Sequence, residues 1–278
     1  MLEFYARVCE ECSRHITQRY STSFSLGISF FELKVRAPIH SIYAFVRFAD
    51  EIVDTFHSYD KKELLSRFEQ ETFVAIEEKI SLNPVIHSFQ SVVHKYNLKT
   101  EHIRAFFNSM KMDLYFNEYG DENYKKYIYG SAEVIGLMCL KVFVGEDEEM
   151  YNTLKTSASS LGSAFQKVNF LRDMKSDFDK RGRVYFPGVD LLNFNADQKM
   201  EIENDIQNDF NRAYEGIINL PKGCRFGVYM AYIYYVKLFR KIKRASPSLV
   251  LQKRLRIHDS WKLFLLFKSF LRHRLNWL

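Results

Sequence analysis

Apolar residues recur every three or four positions along most of this chain of 278 residues, which is the period of an amphipathic helix. The pattern predicts helices over residues 1–20, 38–56, 63–80, 84–95, 99–117, 121–145, 152–178, 196–218 and 223–243. Only 11 Gly and 5 Pro leave little room for tight turns. Pro38 is expected in the first turn of its helix. The chain is therefore predicted to be all-α and to form a single domain over residues 1–278.

Two of these helices carry a polar stripe along an otherwise apolar face. In residues 38–56 the stripe has spacings of 4, 3 and 4 and consists of Tyr43, Arg47, Asp50 and Asp54. In residues 152–178 the spacings are 4, 3, 4 and 4, and the residues are Gly162, Gln166, Asn169, Asp173 and Asp177. Because residues three or four apart share a helix face, each helix presents two carboxylates toward one point.

Paired acids on apolar helices need cations or hydrogen-bond donors, because an ionised carboxylate is costly to bury. Oxygen ligands without His or Cys favour a hard ion, and Mg²⁺ is commonly shared between carboxylates, waters and substrate phosphates. The stripes therefore predict a metal site that binds a phosphate ester. One pair alone would more simply be the solvent-facing side of an amphipathic helix; two pairs, each extended by amides or an Arg, favour the metal site.

Other local features limit the possible functions. Ser21 and Ser23 lie near a predicted helix start, where hydroxyls and free backbone N–H groups suit an anion. Aromatic residues make up 16% of the chain, which suggests a bulky apolar cavity besides ordinary core packing. Cys9 and Cys12 form a lone C-x-x-C that lacks the second ligand pair of a zinc site, so both are interpreted as helix residues.

The expected compartment is a reducing cytoplasm, because the N-terminus reads as a charged amphipathic segment rather than a secretory signal. No uncharged apolar run reaches 18 residues, so no membrane span is predicted. Residues 251–278, however, hold seven Lys or Arg against one Asp, interleaved with Trp and Phe. This basic aromatic segment resembles an interfacial helix for anionic lipid and suggests a peripheral location on the inner face of the cell membrane.

Two alternatives for the basic segment are a last bundle helix with a solvated basic face and a nucleic-acid patch. A nucleic-acid-binding protein would not explain the paired inward acids, so no nucleic-acid partner is predicted.

Three sequence blocks resemble the signature blocks of the squalene/phytoene synthases, the head-to-head isoprenoid synthases. They are SFSLGISFFELKVRAPIHSIYAFVRFADEIVD, YGSAEVIGLMCLKVF and ASSLGSAFQKVNFLRDMKSDFDKRGRVYFP. The third block is the most specific, and the similarity extends from about Tyr20 to about Leu263. The resemblance implies an isoprenoid-synthase helical bundle around a central cavity.

It also implies a prenyltransferase activity, most like that of a bacterial phytoene synthase. Two geranylgeranyl diphosphates would condense to phytoene via a cyclopropylcarbinyl diphosphate, the first step of carotenoid biosynthesis, with a downstream desaturase as a further partner. The nearest alternative is condensation of two farnesyl diphosphates to dehydrosqualene or squalene. A non-catalytic assembly factor on the same fold is disfavoured by the four retained aspartates, and a single-substrate terpene cyclase by the Gln-x-x-Asn-x-x-Arg-Asp run.

The site residues that the resemblance implies fall into three sets. The metal ligands are Asp50, Asp54, Asn169, Asp173 and Asp177, which would hold a cluster of up to about three Mg²⁺ ions, or Mn²⁺ in their place. The catalytic set consists of the four aspartates with Tyr43 and Arg47. The substrate-binding positions are Ser21, Ser23, Phe24, Tyr127, Ala132, Gly136, Gln166, Asn169, Arg172, Tyr185, Tyr235, Arg254 and Lys262. Phytoene formation needs no nicotinamide cofactor.

Two positions depart from the family pattern. Glu133 follows Ala132 where the family usually has Gly, and we expect its side chain to point away from the cavity, since Ala132 and Gly136 are retained on one face. Glu51 stands where an Asp is common, a change that many members tolerate.

Overall fold

The computed structural model describes residues 1–252 and 254–256. In chain order the helices are α1 (Leu2–Tyr20), α2 (Thr22–Ser29), α3 (Leu33–Asp54), α4 (Lys61–Glu78), α5 (Pro84–Tyr96), α6 (Thr100–Tyr115), α7 (Asp121–Ile128), α8 (Val134–Val144), α9 (Glu148–Arg181), α10 (Ala196–Ile217), α11 (Lys222–Lys243) and α12 (Pro247–Val250). A π-helical turn, Tyr129–Glu133, joins α7 to α8. The all-α prediction is confirmed.

The predicted start of the first acidic helix is wrong. Helix α3 begins at Leu33, so Pro38 lies inside the helix and not in its first turn. Proline removes the hydrogen bond that its N–H would give to the residue four positions earlier. Burial of Val35, Pro38 and Ile39 holds the segment helical in spite of that loss.

Side-chain caps fix the start of several helices. Ser21, Asp60, Asn83 and Asp147 each accept a hydrogen bond from a backbone N–H in the first turn of α2, α4, α5 and α9. Asn195 forms a capping box at the start of α10. Each such cap contributes about 1 kcal/mol of helix stability.

Helices α8 and α9 approach each other to backbone contact through two glycines. A Cβ on Gly162 would lie 2.4 Å from the carbonyl oxygen of Ala132, and one on Gly136 would lie 2.6 Å from that of Ala158. Any larger residue at either position would force the helices apart. This contact places the π-helical turn directly against the acidic helix α9.

Many of the aromatic rings build the core. Phe45 stacks on Phe89 with ring centroids 3.8 Å apart, and it also contacts Phe106 and Phe107 at 5.5 Å and 5.7 Å. All four rings are fully buried. Core packing therefore accounts for much of the aromatic content that the sequence suggested for a cavity.

The run Asp121–Val144 is the one described segment that is long and apolar enough, by length and composition, to cross a membrane. Within the bundle, 56% of its most apolar window is buried. Its contacts with α6 and α9 are those of a core helix. Cys9 and Cys12 lie within α1, which confirms their interpretation as helix residues.

Candidate active site

Helices α2, α3 and α8–α11 enclose an apolar cavity of about 260 Å³. Its wall is mostly aliphatic, glycine and alanine, with rings from Phe24, Phe31, Phe143 and Phe165. The polar side chains in the wall are Ser23, Ser131, Ser157 and Gln166. The cavity is thus suited to a hydrocarbon chain.

The acidic pairs lie beyond one end of this cavity. Helix α9 lines it from Leu154 to Gln166, and the same face continues through Asn169 to Asp173 and Asp177. At 1.5 Å per residue, Asp173 lies about 10 Å further along the helix than Gln166. A ligand with a polar head at the aspartates could therefore extend an apolar tail into the cavity.

Arg181 connects the two acidic pairs. Its guanidinium lies 3.2 Å from the Asp54 carboxylate on α3 and 2.6 Å from the Asp177 carboxylate on α9. Burial raises the pKa of Asp177 to about 6, against the opposing effect of Arg181. Acids that are 123 positions apart in the sequence thus share one cation, as the convergence of the two stripes predicts.

Asp50 differs from the other three aspartates. Within the part of the chain that the structure describes, its carboxylate makes no ion pair and no hydrogen bond. Burial, reinforced by the negative charge of Asp54, raises its pKa to about 7. The side chain of Arg47, one turn earlier, pairs with Glu51 and packs over the Tyr20 ring, 4.5 Å from the ring centroid.

Asp173 is held by two guanidinium groups. Arg172 donates to its two carboxylate oxygens at 3.0 Å and 2.5 Å. Arg254 contacts the same carboxylate at 2.7 Å and 3.2 Å. The structure therefore places Arg254 at the acidic site, and its predicted role in substrate binding stays a prediction. Lys262, the other member of that predicted basic pair, lies outside the described residues.

A smaller pocket of about 190 Å³ adjoins the cavity between α2 and α11. The predicted substrate-binding residues in its wall are Ser21, Ser23, Phe24, Arg172 and Tyr235. Ser23 and Phe24 also line the apolar cavity. Hydroxyls, an arginine and a phenol thus meet where the apolar space begins, a suitable set for a diphosphate group.

Aromatic and amide side chains complete this region. Tyr235 donates a hydrogen bond to the Asn169 side-chain oxygen at 3.3 Å and stacks on Phe165 with centroids 3.9 Å apart. Tyr43 packs against Phe24 at 5.1 Å. Gln166, Ala132 and Gly136 line the cavity wall.

Tyr127 and Tyr185 are placed elsewhere. Both rings are buried in a second aromatic cluster, and their hydroxyls contact the Asp113 carboxylate at 2.7 Å and 3.4 Å. Neither is among the residues that line the cavity described above. Their hydroxyls therefore support a buried acid rather than the cavity wall.

Glu133 points away from the cavity, as expected. It is not part of the cavity wall, and its nearest charges are Asp209, Lys167 and Arg212 on α9 and α10. Burial raises its pKa, reinforced by Asp209 and opposed by the two basic groups. The extra acid therefore belongs to a polar cluster behind the wall.

The donor set fits a hard cation such as Mg²⁺ in its chemistry. The candidate ligands are carboxylate and amide oxygens, and Asp50 is a half-buried acid that makes no ion pair among the described residues. Three of the acids are paired with arginines, and among residues 1–252 and 254–256 no three His, Cys, Asp or Glu side chains are grouped to hold an ion. A metal ion would thus compete with guanidinium groups for these oxygens.

The sequence patterns missed Asp113, Arg181 and Arg183. A signal for Asp113 was present, because it follows Phe106 and Met110 by seven and three positions on the buried face of α6. A carboxylate within a buried stripe calls for a partner. The two arginines lie in the basic RGR turn at the end of α9, and their partners could not be identified from spacing.

The chain matches a family model described as squalene/phytoene synthase over residues 17–261. It is 29% identical over 261 residues to a phytoene synthase of Arthrospira platensis, with 84% of each chain covered. It is 26% identical over 200 residues to a 4,4'-diapophytoene synthase of Staphylococcus haemolyticus, covering 70% of this chain and 67% of the relative. A crystal structure of a dehydrosqualene synthase in complex with ligand superposes with a TM-score of 0.82 at 20% identity, over 97% of this chain and 98% of the other.

Proposed function

Because the chain belongs to the squalene/phytoene synthase family, we propose that it joins two geranylgeranyl diphosphates head to head to give phytoene. The observation that carries the proposal is the contact of Arg181 with both Asp54 and Asp177. It brings two acidic pairs together beyond the end of a cavity with an apolar wall. The similarity to a bacterial phytoene synthase supports the choice of product.

Asp50, Asp54, Asn169, Asp173 and Asp177 are the residues that would hold Mg²⁺. When bound, the metal would neutralise the diphosphate and stabilise it as a leaving group. Other side chains of the protein would bind the diphosphate and exclude water from the reaction.

Arg172 and Arg254 would bind the diphosphate oxygens, because both guanidinium groups lie at Asp173 and Arg172 also lines the small pocket. Charge separation accounts for most of the barrier when the C–O bond breaks, so positive groups fixed at this place lower it. Ser21 and Ser23 supply hydroxyls on the other side of the same pocket.

The apolar wall would then protect the cations that follow. The allylic cation alkylates the 2,3-double bond of the second substrate, and loss of a proton gives a cyclopropylcarbinyl diphosphate. This intermediate ionises, rearranges and loses a second proton to form the central triene. Water would quench each cation, and a wall of aliphatic side chains and four phenylalanine rings excludes it.

The C15 substrate is the second candidate. The similarity to a 4,4'-diapophytoene synthase favours it, as does the small volume of the cavity. One feature of the cavity wall supports the longer C20 substrate instead. Ile28 lies beside Gly27 in that wall, and its side chain is only moderately bulky, so it leaves more room for a prenyl tail than an aromatic ring would.

We further propose that the protein works in the cytoplasm, peripherally bound to the inner face of the membrane, where a downstream desaturase would receive the apolar product. The basic aromatic composition of residues 251–278 supports membrane binding. Sedimentation with anionic vesicles, with and without residues 264–278, tests it; equal sedimentation of both chains would contradict this role for the segment.

The test of the function is a product assay with the purified chain and Mg²⁺. Geranylgeranyl diphosphate and farnesyl diphosphate are supplied separately, and the hydrocarbon is extracted and identified. Phytoene from the C20 substrate is expected. A C30 product in preference would support the second candidate, a cyclic product would indicate a terpene cyclase, and no product from either substrate would indicate a non-catalytic protein.

A further inference from the structure

Asp113, at the end of α6, is a buried acid surrounded by hydroxyl groups. Only 8% of the residue is exposed. Tyr127 and Tyr119 donate hydrogen bonds to its carboxylate at 2.7 Å and 3.1 Å, and the Tyr185 hydroxyl lies at 3.4 Å. Three phenols on one carboxylate fix its orientation.

Asp113 also anchors Arg183 in two ways. Its carboxylate lies 3.4 Å from the guanidinium, and its backbone carbonyl accepts a hydrogen bond from the same group at 2.8 Å. The Arg183 side chain is only 7% exposed. Because the guanidinium is planar and its N–H groups form a rigid fork, two anchors determine where the others point.

The fixed guanidinium reaches the acidic site. Arg183 donates to an Asp54 carboxylate oxygen at 3.1 Å. A continuous chain of contacts thus runs from α6 through the turn after α9 to the end of α3. Arg181 occupies the other oxygen of Asp54 at 3.2 Å, so the carboxylate is held on both sides.

We propose that Asp113 is a positioning residue for the acidic site, which sets the direction of Arg183 and, through it, the orientation of the Asp54 carboxylate. The inference rests on the proposed function, because it takes Asp54 as a metal ligand. Partners that orient metal-ligating carboxylates typically affect metal affinity by about 10- to 100-fold when they are removed.

Asp209 provides a matched control for a purely structural role. It is also a buried acid, 3% exposed, and it contacts Ser163, Lys167 and Arg212 at 2.8 Å, 2.8 Å and 2.6 Å. The contacts with Ser163 and Lys167 join α9 to α10, the contact with Arg212 lies within α10, and none of these four residues lines the cavity. Removing its charge should disturb packing as much as the change at Asp113 without reaching Asp54.

The experiment compares the full-length chain with Asp113→Asn and Asp209→Asn. Binding of Mg²⁺ is measured calorimetrically at a fixed concentration of inorganic pyrophosphate, and folding is checked by circular dichroism. We expect Asp113→Asn to weaken Mg²⁺ binding by about 10- to 100-fold, and Asp209→Asn to leave it unchanged. Wild-type Mg²⁺ affinity in folded Asp113→Asn, or an equal loss in Asp209→Asn, would overturn the inference.

A milder variant covers the case in which Asp113→Asn does not fold. Tyr119→Phe removes one hydrogen bond to the carboxylate oxygen that faces Arg183 and leaves every charge in place. A loss of about three- to tenfold in Mg²⁺ affinity is expected, and an unchanged affinity would count against the inference. If the wild-type chain itself binds no Mg²⁺ with pyrophosphate, the proposed function fails first, which is a distinct result.

Discussion

The guanidinium of Arg181 lies between Asp54 and Asp177, 3.2 Å from one carboxylate and 2.6 Å from the other. In the absence of metal, this cation offsets the repulsion between the two acids. We expect Arg181→Gln to lower the free energy of unfolding by about 2 kcal/mol in Mg²⁺-free buffer. Mg²⁺ with pyrophosphate should restore more stability in the variant than in the wild type, as measured by thermal unfolding across a Mg²⁺ titration.

Arg212→Gln is the control for that measurement. Arg212 also pairs with a buried acid, Asp209, which belongs to neither acidic pair. In Arg212→Gln, Mg²⁺ with pyrophosphate should raise the thermal stability by the same amount as in the wild type. An identical Mg²⁺ response of Arg181→Gln and the wild type would contradict the role of Arg181 as a cation shared by the two pairs.

The sequence predicts the two acidic stripes because their geometry is local. Residues four apart share a helix face in any α-helix, so Asp50 with Asp54 and Asp173 with Asp177 could be assigned before the fold was known. That the two pairs meet was inferred from the cost of burying charge, and the shared contact with Arg181 supports that reasoning.

The partners of those acids could not be predicted in the same way. Arg183 reaches Asp54 across 129 positions and Asp113 across 70, so its role depends on how α3, α6 and the turn after α9 pack together. The prediction that Tyr127 is a substrate-binding residue came from family resemblance alone. Helix spacing does not indicate which neighbour its hydroxyl contacts, and the structure places it on Asp113.

Substitution of Asp50 and of Asp173 should have similar effects on activity but different effects on stability. Both Asp→Asn variants are expected to lose activity by about 100-fold or more, because each removes a charge from the leaving-group site. Asp50→Asn should be at least as stable as the wild type, since burial and the negative charge of Asp54 disfavour the ionised carboxylate and raise its pKa to about 7. Asp173→Asn should be less stable, because it leaves Arg172 and Arg254 without their shared partner.

Those two variants are compared by steady-state assays and by urea unfolding in Mg²⁺-free buffer. Activity close to that of the wild type in either one would rule out the aspartates as metal ligands. Equal loss of stability in both would show that the different pairing of Asp50 and Asp173 has no energetic consequence.

The bulk of residue 28 should influence the length of the product. Ile28 is 2% exposed and lies on the cavity wall, so a phenylalanine would take up space needed by a longer tail. We expect Ile28→Phe to shift the product from C40 toward C30, measured as the product ratio from mixed substrates. Ile202→Phe, on α10 outside the cavity wall, should leave the ratio unchanged, and an unchanged ratio in Ile28→Phe would refute the steric argument.

His40 should make stability depend on pH below neutrality. Its ring is buried, its Nδ1 has no hydrogen-bond partner within the described part of the chain, and Arg14 and Arg36 lie nearby. Burial, with those two positive charges, lowers its pKa from 6.5 to about 4. The unfolded chain therefore binds a proton at a higher pH than the folded chain does, and stability falls as the pH decreases from about 6.5 toward about 4.

The size of this effect is about 3 kcal/mol over that pH range. Urea unfolding of the wild type and His40→Gln at several pH values isolates the contribution of His40 from that of the carboxylates, which titrate in both proteins. The difference in stability between the two proteins should shift by this amount in favour of the variant as the pH falls. A difference that stays constant with pH would show that His40 is readily protonated in the folded protein.

The hydroxyl group of Ser131 should lower the stability of the protein. Its hydroxyl oxygen is buried on the π-helical turn, lines the apolar cavity and has no hydrogen-bond partner among the residues described. An unpaired buried hydroxyl loses its contacts with water and gains nothing in return. We expect Ser131→Ala to raise the free energy of unfolding by about 1 kcal/mol, whereas Ser109→Ala should lower it, because the Ser109 hydroxyl donates to the Phe106 carbonyl at 2.7 Å. Urea unfolding measures both changes, and a loss of stability in Ser131→Ala equal to that in Ser109→Ala would show that the Ser131 hydroxyl is hydrogen-bonded in solution.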